Sequence, residues 1–372
     1  MLTVGVFFGG RSGEHDVSRC SAASVYENLD RTKYRVIAVG VDTDGRFYPD
    51  EDAAVETDAS FGRVLNVKRS GDWSFNVYPQ DGQLIFTERE SGGSVSIDIV
   101  FPVMHGTFCE DGRLQGMLEL AGVTYVGAGV IGSACGMDKD VSKRLMKEAG
   151  IPVIPWLSVR RSEWDESRDF ILEDVILEHG FPCFVKPANA GSSVGISKIE
   201  NRAEFARKVE EAFRYDNKIL IEKAVSAREI EFSLLGNEHP RCSEPGEIIP
   251  RGSFYSYEAK YLDKEGASLV IPAVIPEEIL NEMKLTAENA FKVLCLHGMA
   301  RVDFFLTRDN KCFYVNEVNT LPGFTSISMY PKLWEYSGLP YQDLLDSLID
   351  LALQTFAERS RILTAVPELN GQ

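Results

Sequence analysis

The chain has 372 residues, too many for one small domain and suited to two or three. Hydrophobic residues make up 44% and charged residues 26%, which fits a globular protein rather than a disordered or fibrous one. Fifty-six Asp and Glu against 39 Lys and Arg give a net charge of −17, which repels nucleic acid and anionic membrane and argues against either as a primary partner.

Leu2–Phe8 predicts a buried strand, broken by Gly9, Gly10 and Gly13. Glu14–Leu29 predicts a helix and Tyr34–Val41 a second strand. Strand, Gly-rich turn, helix and strand open a doubly wound parallel-sheet α/β domain. From about 42 to 93 the chain is rich in Asp, Glu, Ser and Gly, with short aromatic strands at Trp73–Tyr78 and Gln83–Thr87. This predicts an insertion of small β elements. Ser96–Met104 returns to a parallel-type strand and Arg113–Ala121 to a helix. Asp138 can cap a helix running through Ala149, which Gly150 and Pro152 end. Phe184–Lys186 predicts a strand, followed by a Gly/Ser loop, an amphipathic helix at Ala203–Arg214 and a strand at Ile219–Glu222. From Glu229 onward the pattern alternates, Glu231, Ser233 and Leu235 against Ile230, Phe232 and Leu234. Pro276–Leu296 is helical, Met299–Leu306 and Cys312–Val318 form a hairpin across Arg308–Lys311, and Leu339–Glu358 is the last helix before a frayed tail.

No apolar run approaches the roughly 20 residues of a membrane span, and Met1–Phe8 lacks the basic start of a signal peptide. The seven cysteines are scattered without CxxC spacing, which points to a reducing cytoplasm rather than to disulfides or structural zinc.

Four loops carry chemistry. Gly127-Ala-Gly129-Val-Ile-Gly132 fits the dinucleotide fingerprint G-x-G-x-x-G, but it does not follow the first strand and a charged helix comes after it. Lys186-Pro-Ala-Asn-Ala-Gly191-Ser192-Ser193-Val194-Gly195 brings a lysine on a strand to a loop without side-chain bulk. Such a loop can fold N–H groups over a triphosphate, or be a plain surface turn. In the last hairpin Arg301 and Asp303 share one face, as do Glu317 and Asn319. If the strands pair as their turn suggests, Asp303 and Glu317 come opposite one another. Two carboxylates and an amide oxygen make a hard Mg²⁺ site, unless this is only the solvated face of a hairpin. Finally, His105-Gly-Thr-Phe-Cys-Glu110-Asp111-Gly leaves a strand end where α/β ligands bind, although a lone His is commonly a packing or capping residue.

With these loops the chain closely resembles the D-alanine–D-alanine ligases of the ATP-grasp superfamily. The resemblance is carried by Gly9-Gly10-Arg-Ser-Gly-Glu14-His-Asp-Val17-Ser18, His105 to Gly112, Met137-Asp138-Lys139, Lys186 to Gly195, Glu222-Lys223, Tyr257-Glu258-Ala259-Lys260-Tyr261, Gly298 to Asp303 and Asn316 to Ser328. It implies an N-terminal α/β substrate-binding domain at 1–137, then a two-lobed ATP-grasp fold (α+β). The central lobe would span 138–228, and the C-terminal lobe 229–372, with a lid loop at about 250–262. It implies ATP-dependent joining of two D-alanines through a D-alanyl phosphate, for peptidoglycan precursors.

By position, Lys139, Lys186, Ser193 and Lys260 match residues at the ATP phosphates. Glu222 and Glu229 match those at adenine and ribose, with Lys223, Ala224 and Val225 as the adenine hinge. Asp303, Glu317 and Asn319 match the ligands of two Mg²⁺ ions, which Mn²⁺ can replace. Glu14 matches the carboxylate for the first ammonium, with Val17 and His105 beside it. Arg301 and the Gly323 N–H match the oxyanion stabilisers, and Ser328 and Met329 the second carboxylate's surroundings. Ser192, Tyr261 and Glu14 match a trio that latches the lid. Similar D-alanyl-D-lactate ligases carry His in place of this Tyr, so Tyr261 implies D-alanine as acceptor. A homodimer is implied by the resemblance alone. The family has Gly where this chain has Cys109, which predicts strain if that position needs positive φ. Other readings are an ATP-grasp ligase for another D-amino or D-hydroxy acid acceptor and a non-catalytic nucleotide sensor. Against the sensor stand Arg301, Asp303, Glu317 and Asn319, since binding alone does not need all of them.

Overall fold

The computed structural model describes residues 1–78, 82–250 and 267–362. The first sheet has β1 (Leu2–Gly9), β2 (Tyr34–Val41), β9 (Ile99–Pro102) and β10 (Thr124–Tyr125) in the parallel order β10-β9-β1-β2, with β3 (Phe47–Asp50) antiparallel on the β2 edge. β1 has no polar alternation because both its faces are covered. Val4, Val6 and Phe8 share a core with α1 (His15–Asn28), while Phe7 faces Leu84, Phe86 and α2 (Arg113–Leu120). Strand order reverses at β1, which has β2 on one side and β9 on the other. The loops leaving β1 and β9 meet at that switch point, where Ser12 Oγ donates to the His105 carbonyl at 2.6 Å.

The insertion folds as a hairpin, β4 (Val55–Asp58) with β5 (Gly62–Leu65), and a meander, β6 (Trp73–Tyr78), β7 (Gln83–Glu88) and β8 (Ser94–Ile97). The strand expected at Ser96–Met104 is therefore two strands, and the insertion runs on to Ile97. Asp98 makes the break: its N–H donates to the Thr3 carbonyl, and its carboxylate accepts from the Thr3 N–H at 2.7 Å.

A second sheet, antiparallel throughout, has the order β11 (Trp156–Arg160), β14 (Lys218–Lys223), β12 (Cys183–Pro187), β13 (Ser197–Ile199). Helices α5 (Arg161–Glu178) and α6 (Arg202–Ala212) cover it through Trp164, Val175, Phe205 and Val209. No sequence signal had indicated β11 or α5. The helix buries only Trp164, Ile171 and Val175, and non-helical backbone at Ser167 interrupts its period.

The third sheet is also antiparallel: β18 (Ala267–Val270), β17 (Gly246–Pro250), β15 (Ala227–Gly236), β19 (Gly298–Thr307), β20 (Phe313–Asn319), with β16 (Arg241–Cys242) beside β15. Helix α7 (Glu277–Val293) packs Met283, Ala287 and Phe291 on its Ile230, Phe232 and Val302 face. Helices α3 (Val130–Met137) and α4 (Lys139–Glu148) lead from the first sheet toward the second, and α8 (Met329–Tyr336) and α9 (Tyr341–Arg359) follow β20. The last helix returns to the N-terminal sheet: Leu344, Leu345, Leu348 and Ile349 lie in one core with Val4, Val6 and Tyr26.

The G-x-G-x-x-G segment does join a strand to a helix, β10 to α3, but β10 is an edge strand, and the cavity that Gly127 lines holds only about 20 Å³, far too little for a dinucleotide. A Cβ on Gly129 would lie 2.6 Å from an Arg359 nitrogen, and one on Gly132 would lie 2.8 Å from the Cys295 carbonyl oxygen. These glycines serve close packing against the C-terminal part of the chain. Because Leu348 is fully enclosed in the core shared by both ends of the chain, Leu348→Ala should cost about 2–5 kcal/mol, read as a lowered urea midpoint with unchanged denaturant slope.

Candidate active site

A cavity of about 610 Å³ lies between the second and third sheets, lined by Phe184, Lys186 and Glu222 on one side and Phe304, Phe305 and Glu317 on the other. β12 is apolar until Lys186, which thus reaches the cavity at the strand's end. Its ammonium is 2.7 Å from Glu222 Oε2 and donates to Asn316 Oδ1 at 3.1 Å. Helix α4 adds two more lysines. Asp138 caps it by accepting from the Asp140 and Val141 N–H groups, and Lys139 and Lys143, four residues apart, share one face. Lys139 Nζ donates to the Ala190 carbonyl at 2.7 Å and lies 3.5 Å from Glu317 Oε2. Lys143 is enclosed, 3.0 Å from Glu222 Oε1, and donates to the Ile154 carbonyl at 3.3 Å. Burial pushes Glu222 toward the neutral form, but the ammonium groups of Lys143 and Lys186 overcome it and hold its pKa down to about 2. For Lys143 burial wins, and its pKa falls below the ordinary lysine value despite Glu222.

The Gly/Ser loop after β12 turns through left-handed backbone at Ser192, Ser193 and Gly195. The Ser192 hydroxyl donates to Glu14 Oε1, across 178 residues of sequence. The Glu14 carboxylate occupies a crevice lined by Gly106 and Gly191. A Cβ on either Gly106 or Gly191 would come within 2.7 Å of Glu14 Oε2. Val17 is buried one turn into α1. His105 is enclosed, with Nε2 3.0 Å from Ser21 Oγ and Nδ1 3.8 Å from Glu110 Oε1. Burial opposes its protonation, yet Glu110 and Glu14 raise its pKa above the ordinary value. Its imidazole is thus engaged by protein groups.

The β19–β20 register sets Asp303 opposite Glu317 and Arg301 opposite Asn319. A bulge beyond Asp303 leaves Asn316 as an extra residue, so Asn316 and Glu317 both line the cavity. Arg301 grips Asp303 with both ends of its fork, Nε to Oδ1 at 2.7 Å and Nη2 to Oδ2 at 2.8 Å. Its Nε is also 3.0 Å from Glu231 on β15, and Asn319 Nδ2 donates to Asp303 Oδ2 at 3.0 Å. Burial works against the Arg301 charge, but Asp303 and Glu231 raise its pKa well above the ordinary value. Among the described residues no group of three His, Cys, Asp or Glu is spaced to hold a metal by itself. Asp303, Glu317 and the Asn319 amide nevertheless form a hard-oxygen set that fits a divalent ion whose shell phosphate oxygens complete.

Glu229 and the Lys223, Ala224 and Val225 hinge line the same cavity. Beyond β20, Gly323 lies close to the Ser328 hydroxyl, which accepts from the Thr325 N–H at 3.0 Å. The Met329 side chain is buried with Ile248 and Leu333. Lys260, Tyr261 and most of the expected lid lie outside the described residues. The sequence left Lys143, Glu231 and Asn316 unassigned. Helical spacing from Lys139 and strand alternation from Asp303's neighbours were the available signals for the first two.

Residues 3–128 match the family described as D-ala D-ala ligase N-terminus, and residues 145–350 match D-ala D-ala ligase C-terminus. The chain is 44% identical over 368 residues to the D-alanine–D-alanine ligase of Natranaerobius thermophilus, covering 99% of each chain. The chain belongs to the D-alanine–D-alanine ligase family. The ligase of Shouchella clausii is likewise 44% identical over 369 residues, with 99% of each chain covered. Among solved structures, the Coxiella burnetii D-alanine–D-alanine ligase has a TM-score of 0.78 at 34% identity, covering 97% of this chain and 98% of that one. The D-Ala:D-Ser ligase VanG of Enterococcus faecalis has a TM-score of 0.80 at 31% identity, covering 94% and 99%. An N-terminal parallel-sheet domain followed by a two-lobed ATP-grasp fold is the architecture of these ligases, and the family uses ATP and a divalent metal.

Against the family pattern, the strain expected at Cys109 is absent. The left-handed residue is its neighbour Phe108 (φ 70°), whose ring lies between the guanidiniums of Arg11 and Arg113. Cys109 is simply buried, close to Gly10.

Because Glu222 has a depressed pKa, its charge stabilises the fold above the ordinary carboxylate pKa of 4.5, and the effect is lost as pH falls toward 2. The stability gap between wild type and Glu222→Gln in urea unfolding should be constant above about pH 5 and narrow below it.

Proposed function

We propose that this ligase joins two D-alanines to D-alanyl-D-alanine at the expense of ATP, through a D-alanyl phosphate, in a bacterial cytoplasm, as a homodimer. The observation that carries the reading is one cavity where Lys139, Lys186, Asp303 and Glu317 line a triphosphate-sized space. Ser192, at the rim of that cavity, bonds to Glu14 of the N-terminal loop. The chain would work as three bodies, 1–137, 138–228 and 229–372, with an insertion on the first and a lid at about 250–262.

In this reading Lys139, Lys186, Ser193 and Lys260 hold the phosphates, and Glu222, Glu229 and residues 223–225 take the nucleoside. Two Mg²⁺ ions, or Mn²⁺, held by Asp303, Glu317 and Asn319, would neutralise the transferring phosphoryl group. Glu14, with Val17 and His105 behind it, receives the first ammonium. Arg301 and the Gly323 N–H face the oxyanion, and Ser328 and the Met329 N–H face the second carboxylate. Tyr261 with Ser192 and Glu14 closes the lid, excluding water that would hydrolyse the acyl phosphate. A neutral phenol at Tyr261 tolerates the arriving acceptor ammonium, which loses a proton before its amine attacks the acyl phosphate, and this favours D-alanine as acceptor over a hydroxy acid. The likeness to a D-Ala:D-Ser ligase keeps a different D-amino acid acceptor as the second reading.

Incubation with ATP, Mg²⁺ and D-alanine should release phosphate and form D-alanyl-D-alanine, seen by mass spectrometry. A product only with D-serine or D-lactate would favour the second reading. Glu317→Gln should abolish turnover with its circular dichroism unchanged. Arg301→Ala should lower kcat by about 10²–10³ while ATP binding is nearly kept. Normal kcat with weakened ATP binding would move Arg301 to the nucleotide.

A further inference from the structure

Ser21 lies on the core-facing side of α1 and is fully enclosed. Its Oγ is 3.0 Å from His105 Nε2 and accepts the Phe324 N–H at 3.3 Å. His105 is on the loop after β9, and its other ring nitrogen faces Glu110. Phe324 directly follows Gly323, and its ring is locked edge-on against Phe101 and Tyr330. One hydroxyl thus joins the helix that starts after Glu14, the His105 loop and the backbone beside Gly323.

A serine oxygen has two lone pairs and one hydrogen, enough to accept the N–H and still bond an imidazole. Without it the Phe324 N–H is buried with no partner from this side chain, and its segment gains a reason to shift. Geometry at a reacting centre is sensitive: a displacement of about 1 Å can cost about 10²-fold in rate.

We propose that Ser21 is a positioning residue for the ligation: by tying His105 to the Phe324 N–H, it sets the Gly323 N–H against the first-substrate pocket around Glu14. The role rests on the reaction proposed above. Ser21 lines no part of the nucleotide cavity, so its loss acts on turnover and spares ATP affinity.

The test compares Ser21→Ala, Ser21→Cys and Ser21→Thr in the dipeptide assay, with ATP binding by calorimetry and folding by thermal unfolding. Cys and Thr both add bulk, but Cys bonds hydrogen weakly whereas Thr keeps the hydroxyl. The Ala and Cys variants should lose about tenfold in kcat, with the ATP Kd changed by less than about twofold. The Thr variant should keep most of its kcat. If Ala does not fold, the Cys and Thr pair decides. Wild-type kcat in Ala or Cys, an equal loss in folded Cys and Thr, or a loss confined to ATP affinity would overturn the role. An inactive wild type would instead remove the proposed reaction, and Ser21's part in it.

Discussion

A cavity lined by enclosed cations must stabilise them from within the protein. Lys139, Lys143, Lys186 and Arg301 are all largely removed from water, where an unpaired charge is very costly. Lys139, Lys143 and Lys186 are each met by a carboxylate from another element, Glu317 for the first and Glu222 for the other two, and Arg301 by Glu231 of β15 together with Asp303 of its own strand. These pairs tie α4, β12 and β14 to one another and to the third sheet. The electrostatics that prepare the site therefore also hold its walls together. Such pairs add little net stability over apolar packing, but removing one partner is severe.

The same logic shapes the substrate end. Glu14 is buried, and the groups around it are a serine hydroxyl, two glycines and an imidazole with raised pKa. At positions 106 and 191 a Cβ would approach the Glu14 carboxylate to 2.7 Å, and Gly106 also takes a left-handed backbone. The crevice is built from both the first sheet's loops and the second sheet's Gly/Ser loop. An ammonium bound there would thus be sensed by two parts of the chain at once.

The core explains how these parts stay in register. Helix α9 leaves the third sheet and packs on the first, beside α1. Leu321 and Phe324 join that core directly after β20. The segment after β20 and the helix that follows Glu14 thus share one hydrophobic cluster, with the Ser21 hydroxyl bonded to the Phe324 N–H beside it.

Local patterns sufficed for much of this. Mainly apolar runs marked β1 and β2, Asp138 marked the start of α4, and single polar residues in apolar strands marked Arg301, Asp303, Glu317 and Asn319. These signals are local because caps, strand alternation and tight turns involve residues near in sequence. Tertiary structure alone decided the partners. Glu222 gained two lysines, Glu231 came beside Arg301 across a strand pair, and Ser21 met Phe324 from 303 residues away. It also moved the left-handed residue from Cys109 to Phe108 and spent the G-x-G-x-x-G glycines on close packing. Buried charges and donors must find partners wherever the fold brings them, and no local period records which distant residue that will be.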